Sequence, residues 1–175
     1  MSTVLFIPGL GGSPPGHWQS LWEGRDRDYR RVEQRDWEAP DKDEWVAALA
    51  EAVAGCKERP LLVAHSLGCA VVAHWGGVAS GALLVSPADV DDEAHTPPET
   101  RSFAPMPMKP LGYPAIVVAS KDDPFVTEER ARAMAEAWDA RFRSAGNSGH
   151  INLDSGHGPW PTGESVFADL RSRAT

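Results

Sequence analysis

The nine residues Leu61-Leu62-Val63-Ala64-His65-Ser66-Leu67-Gly68-Cys69 constrain the chain more than any other stretch. An apolar run of about five residues beginning at Pro60 reads as a strand buried on both faces. It stops at His65-Ser66, and Leu67 to Trp75 then carries small and apolar residues at helical spacing. A serine held between a buried strand and a helix has the form of a nucleophile elbow. Strand and helix backbones come close at such a turn, so small residues are needed two before and two after the serine. Ala64 and Gly68 supply them. The turn also aims the unpaired N–H groups and positive dipole end of the helix at whatever forms on Ser66. On its own the pattern is weak, because a small residue, a serine and a glycine also meet in ordinary strand-to-helix turns.

The remaining strands and helices follow a single rhythm. Thr3–Ile7, Ala82–Ser86 and Ala115–Ala119 are apolar runs that read as buried strands, with Tyr29–Val32 and Ala140–Ser144 as shorter ones. Between them lie helical patterns. Pro14 to Trp22 places Trp18, Leu21 and Trp22 on one face. Asp41 and Glu44 form a capping box ahead of Trp45, Ala48, Leu49, Ala52 and Val53. Thr127 caps a helix that buries Ala131, Met134, Ala135 and Trp138, and Glu164 to Arg173 is a last helix with Val166, Phe167 and Leu170 inward. Apolar strands alternating with helices predict an α/β fold: a mainly parallel sheet of about six strands, covered on both sides. With 175 residues, 42% of them hydrophobic, the expectation is one domain spanning 1–175. Pro87 to Pro114 holds seven of the fifteen prolines and reads as an irregular excursion, too short and too poor in apolar residues to form a lid domain.

Composition narrows the function classes. A formal charge of −8 argues against nucleic acid or an anionic membrane as partner. A run of about 20 apolar residues is absent, and Met1-Ser2-Thr3 carries no basic leader, so a cytoplasmic chain without a membrane span is expected. Cys56 and Cys69 lack metal-site spacing and read as small buried hydrophobes. Pro8-Gly9-Leu10-Gly11-Gly12-Ser13 fits neither a P-loop nor a dinucleotide fingerprint, and no cofactor or metal is expected. It reads instead as a loop bringing backbone N–H groups close to a ligand atom.

In a parallel sheet, chemistry sits at the carboxyl ends of the strands. The candidates there are Pro8-Gly9-Leu10, Ser66, Asp122-Asp123 and His150. Acyl transfer requires a base for the serine and a carboxylate to orient the base. Of six histidines, His65 should point away from the serine, and His17, His74 and His95 fall elsewhere. His150, in Ser148-Gly149-His150, is preferred over His157, which reads as a structural turn residue. Asp123, stiffened by Pro124, is preferred over Asp122 and the more distant Asp89. The order Ser66, Asp123, His150 is that of α/β-hydrolases.

Taken together, Ile7 to Ser13, His17-Trp18, Asp36-Trp37, Pro40-Asp41, Trp45, His65 to Cys69, Asp122 to Phe125 and Gly149-His150 carry a family likeness. The chain resembles the small serine hydrolases related to retinoblastoma-binding protein 9, a compact branch of the α/β-hydrolase superfamily. The resemblance implies Ser66 as nucleophile, His150 as base, Asp123 as its orienter, and the N–H groups of Leu10 and Leu67 as an oxyanion hole. Gly9, Trp18 and Phe125 would contact substrate. Two departures stand out: Ala64 replaces the usual first glycine of the elbow, and the Leu-x-Cys-x-Glu motif for the retinoblastoma pocket is missing around Cys56. The expected activity is hydrolysis of carboxylic esters or related small acyl compounds. The alternative is a non-catalytic interaction module on the same fold. Trp18, Trp22 and Trp160 lie near loop ends, where walling the site is the alternative to a place in the core, and Phe103, Met106, Met108 and Leu111 of the excursion would line one side of an open acyl pocket.

Overall fold

The computed structural model describes residues 3–174. Six strands, β1 (Val4–Ile7), β2 (Tyr29–Arg31), β3 (Leu61–His65), β4 (Gly81–Val85), β5 (Ala115–Ala119) and β6 (Arg141–Ser144), form one sheet in the order β2-β1-β3-β4-β5-β6. Every neighbouring pair is parallel. The helices are α1 (Trp18–Glu23), α2 (Lys42–Ala54), α3 (Leu67–Trp75), α4 (Glu128–Ala137) and α5 (Pro161–Arg173). This is the parallel α/β sheet that the strand–helix rhythm predicts, and the arrangement that the family resemblance implies.

Alternation along each strand sorts the core into two layers, because successive side chains leave opposite faces of a sheet. Leu5, Ile7, Leu62, Ala64, Leu84 and Val117 pack under α2, α3 and α4, together with Trp45, Leu49, Met134 and Trp138. Val4, Phe6, Val63, Leu83, Val85 and Val118 pack on the other side against Trp18 and Trp22 of α1, Trp160 at the cap of α5, and Phe167 and Leu170 within it. The edges are short and charged, with Arg30 in β2 and Arg141 and Arg143 in β6, which discourages further strand pairing.

Three expectations shift. The first helix begins only at Trp18, with His17 as its N-cap, and it buries Gln19 while Leu21 is exposed. The last helix starts earlier than expected, at Pro161, where a proline suits the first turn. The proline-rich excursion turns Phe103 and Met106 into the core rather than toward the site. Phe103 stacks edge-on against Trp45 at 6.0 Å, and its carbonyl accepts the His74 Nε2–H at 2.6 Å. Met108 is exposed and Leu111 packs against the core, so none of these four residues lines the cleft around Ser66. Arg130 reaches over from α4 to pair with Asp89 at 3.2 Å and Asp91 at 2.7 Å, tying the excursion down.

The chain leaves β1 toward β2 on one side and returns to β3 on the other. The crevice between the ends of β1 and β3 is therefore the topological switch point where ligands bind in such sheets. Its walls touch at Gly68. A Cβ at Gly68 would overlap the carbonyl oxygen of Ile7 and lie 2.9 Å from its carbonyl carbon, so α3 can start only if this position is glycine. Gly68→Ala is expected to force β1 and α3 apart and cost about 1–3 kcal/mol, as core overpacking does. Urea unfolding followed by circular dichroism checks this; an unchanged midpoint would remove Gly68 as the determinant of the crevice.

Candidate active site

Ser66 follows β3 directly and precedes the first residue of α3, with φ 55° and ψ −122°. Such backbone is strained for a non-glycine residue, by about 1–3 kcal/mol, and persists only where its surroundings enforce it. Here Ser66 N–H donates to Val85 O at 3.0 Å, and the Ser66 carbonyl accepts Cys69 N–H at 3.0 Å. The strained turn lifts Oγ out of the sheet toward the cleft.

The Ser66 hydroxyl donates to His150 Nε2 at 2.8 Å. On the other side of the ring, His150 Nδ1–H donates to Asp123 at 2.9 Å to Oδ2 and 3.0 Å to Oδ1. Asp123 is itself fixed by the Phe125 N–H, which Oδ1 accepts at 2.8 Å. The residues expected at the ends of β3, β5 and β6 thus meet in one hydrogen-bonded line.

Asp89, by contrast, is engaged by Arg130. Asp122 is more than a solvated turn residue: its carboxylate accepts the Gly149 N–H at 2.8 Å, holding the start of the histidine loop. His157 behaves as the structural residue expected, with Nδ1 3.0 Å from Ser155 Oγ and its carbonyl accepting the Trp18 N–H.

The loop carrying His150 is pinned residue by residue. The Gly149 carbonyl accepts the Ser120 hydroxyl, the His150 carbonyl accepts His65 Nε2–H at 2.9 Å, and the Ile151 carbonyl accepts Trp18 Nε1–H at 2.8 Å. Gly149 and Ile151 both have positive φ, at 56° and 48°, and for β-branched Ile151 this is strained backbone. Three consecutive carbonyls claimed by three distant side chains hold that strain in place. Trp18 is therefore corrected from a substrate contact to a support: it is fully buried among Trp22, Trp160 and His65. Trp22 and Trp160 are likewise core rather than wall, stacked at 6.0 Å. The sequence predicts a supporting role for neither His65, expected only to point away from the serine, nor Gln19. Gln19 accepts the Ser13 hydroxyl at 2.6 Å and donates to Val63 O at 3.0 Å, tying the first loop to β3.

Two lobes open on either side of Ser66 and His150, sharing Leu10 and Asn152. One, about 180 Å³, is lined by Gly9, Gly12, Pro14, His17 and His65. The other, about 170 Å³, is lined by Leu67, Ala88, Thr96, Pro97, Thr100 and Phe125. Phe125 lies 4.5 Å from the His150 ring, centroid to centroid. Gly9 has no side chain because a Cβ there would sit 3.0 Å from both Leu67 N and Ser66 Cβ. Leu67 N–H is an orphan of the first helical turn, beside Ser66 and at the mouth of the crevice. Among the described residues no three His, Cys, Asp or Glu side chains converge as metal ligands would. No helix there is long and apolar enough to cross a membrane.

Burial, then the positive charge of Arg31 and of neighbouring histidines, lowers the pKa of His17 from 6.5 to about 4. Burial likewise holds His65 well below the ordinary range. The unfolded chain therefore binds more protons than the folded one below about pH 6.5. Stability is full above that pH and falls as pH drops toward 4, by up to about 1.4 kcal/mol per pH unit for His17, with His65 acting in the same direction. His17→Asn retains an N-cap side chain and removes one of these groups. Its unfolding free energy is expected to fall less steeply over this window, measured by urea titration at a series of pH values; an identical slope would contradict a neutral buried His17.

Residues 4–169 match the family model described as serine hydrolase. A YdeN-like hydrolase from Pectobacterium atrosepticum is 33% identical and superposes with a TM-score of 0.86, over 97% of this chain and 90% of that one. The YdeN product of B. subtilis is 22% identical, with a TM-score of 0.78 over 98% of this chain and all (100%) of that one. A thermophilic esterase from Thermogutta terrifontis shares the fold at 15% identity, with a TM-score of 0.71 over 100% of this chain and 91% of that one. No curated protein matches the sequence.

Proposed function

We propose that this chain, which belongs to the serine hydrolase family, cleaves carboxylic esters or related small acyl compounds through an acyl-enzyme. The observation that carries the reading is the unbroken line Ser66–His150–Asp123, with contacts of 2.8 and 2.9 Å, ending on a serine held at positive φ. A module that only bound partners would gain nothing from a strained serine whose hydroxyl is committed to a histidine.

In this reading Ser66 Oγ attacks the carbonyl carbon as His150 Nε2 takes its proton. Asp123 holds Nδ1–H toward itself and stabilises the imidazolium that forms. The developing oxyanion is received by the N–H groups of Leu10 and Leu67, which flank the crevice at Gly9. Collapse expels the leaving alkoxide, protonated by His150, and leaves Ser66 acylated. Water, deprotonated by the same ring, then attacks the acyl-enzyme; collapse of that intermediate releases the acid and returns the proton to Ser66.

Ser66→Ala is expected to lower kcat for a small activated ester by on the order of a millionfold, and His150→Ala nearly as much, because such residues act as a unit. His157→Ala should cost little by comparison. Asp123→Asn should lower the rate by about ten-thousandfold through the wrong histidine tautomer. Asp122→Asn should be mild, since an amide oxygen still accepts the Gly149 N–H. Steady-state kinetics on the purified variants test this; full activity in Ser66→Ala, or a dead His157→Ala beside an active His150→Ala, would overturn the assignment.

The lobes, at about 180 and 170 Å³, are each smaller than the ≈300–1,000 Å³ of a drug-sized pocket. The substrates proposed are accordingly small. Across p-nitrophenyl esters, kcat/KM should peak at about two to six acyl carbons, and further methylenes should gain far less than the roughly 0.8 kcal/mol of full burial. A steady rise to long chains would contradict it.

A further inference from the structure

His17 and His65 stand side by side in the first lobe, with ring centroids 5.0 Å apart, yet neither has a role in the proton relay. Their tautomers are fixed in opposite senses by backbone partners. His17 Nδ1 accepts the Gln19 N–H at 3.1 Å, so its proton sits on Nε2. His65 donates Nε2–H to the His150 carbonyl at 2.9 Å, so its Nδ1 carries the lone pair. Among the described residues neither His17 Nε2 nor His65 Nδ1 has a hydrogen-bond partner. Both rings line the same lobe, and these nitrogens are the polar ring atoms left over for a ligand there.

We infer that this lobe selects a substrate bearing a hydroxyl group, held between His17 Nε2–H as donor and His65 Nδ1 as acceptor. The inference rests on the acyl-transfer reading and adds the substrate class to it. A carbonyl or carboxylate would satisfy only the donor, and an ammonium only the acceptor. A hydroxyl both accepts and donates through a single oxygen. Burial keeps both rings neutral at physiological pH, so each retains its assigned role. A site built around such groups discriminates against the analogue that lacks the hydroxyl, because its own polar atoms are then left unpaired.

The hydroxyl can belong to the acyl or to the alcohol part, and two matched pairs distinguish them. The acyl pair is p-nitrophenyl 3-hydroxybutyrate against p-nitrophenyl butyrate; the alcohol pair is 2-hydroxyethyl butyrate against ethyl butyrate. In one pair kcat/KM is expected to favour the hydroxylated ester by about tenfold or more, the yield of two hydrogen bonds. That ratio should collapse toward one in His17→Asn, and again in His17→Ser, each able to cap α1 but too short to place a donor in the lobe. Thermal unfolding confirms that the variants fold, and the wild-type ratios decide the matter alone if they do not. Turnover with ratios near one in both pairs, or a preference that survives both substitutions, overturns the hydroxyl assignment while leaving the acyl-transfer reading intact. No turnover of any of the four esters overturns both.

Discussion

The approach of α3 to β1 at Gly68 is the constraint on which the site depends. With no Cβ to hold them apart, the first turn of α3 packs onto the Ile7 carbonyl and the loop after β1 passes over Ser66. Beside that contact the serine takes positive φ, and Gly9 passes so close that a Cβ on it would sit 3.0 Å from both Leu67 N and Ser66 Cβ. Strain at Ser66 accompanies the crevice that the parallel sheet opens where the strand order reverses.

A second device supplies the histidine. His150 lies in a loop beyond an edge strand, a place where backbone is usually mobile. Here that backbone is held by groups from across the molecule. Trp18 reaches the Ile151 carbonyl, His65 the His150 carbonyl, Ser120 the Gly149 carbonyl and Asp122 the Gly149 N–H. The aromatic cluster of Trp18, Trp22 and Trp160 therefore serves the site indirectly, by anchoring one of these donors. Burial of the supporting histidines also ties the integrity of the loop to pH.

The sheet was legible because β3, β4 and β5 are buried on both faces and so are apolar at every position. The elbow was legible because its geometry tolerates only small residues at Ala64 and Gly68. The loops behaved differently. Phe103 and Met106 lie in a stretch without periodicity, where an apolar residue facing the core reads the same as one facing a cleft. Trp18 misleads for a related reason: it begins a short helix near the site, but its indole nitrogen is engaged by a carbonyl 133 residues away. His65 points off the serine as strand alternation implies, and its role appears only when the loop 85 residues later folds over it. Pairings of that range leave no local signal.

The central claim is that Ser66 is an activated nucleophile rather than a turn residue. Labelling the native chain with a fluorophosphonate probe and mapping the adduct by peptide mass spectrometry tests it without any assumption about substrate. The account predicts a single adduct on Ser66 that heat-unfolded protein does not form. No adduct, or one on another serine, would contradict it.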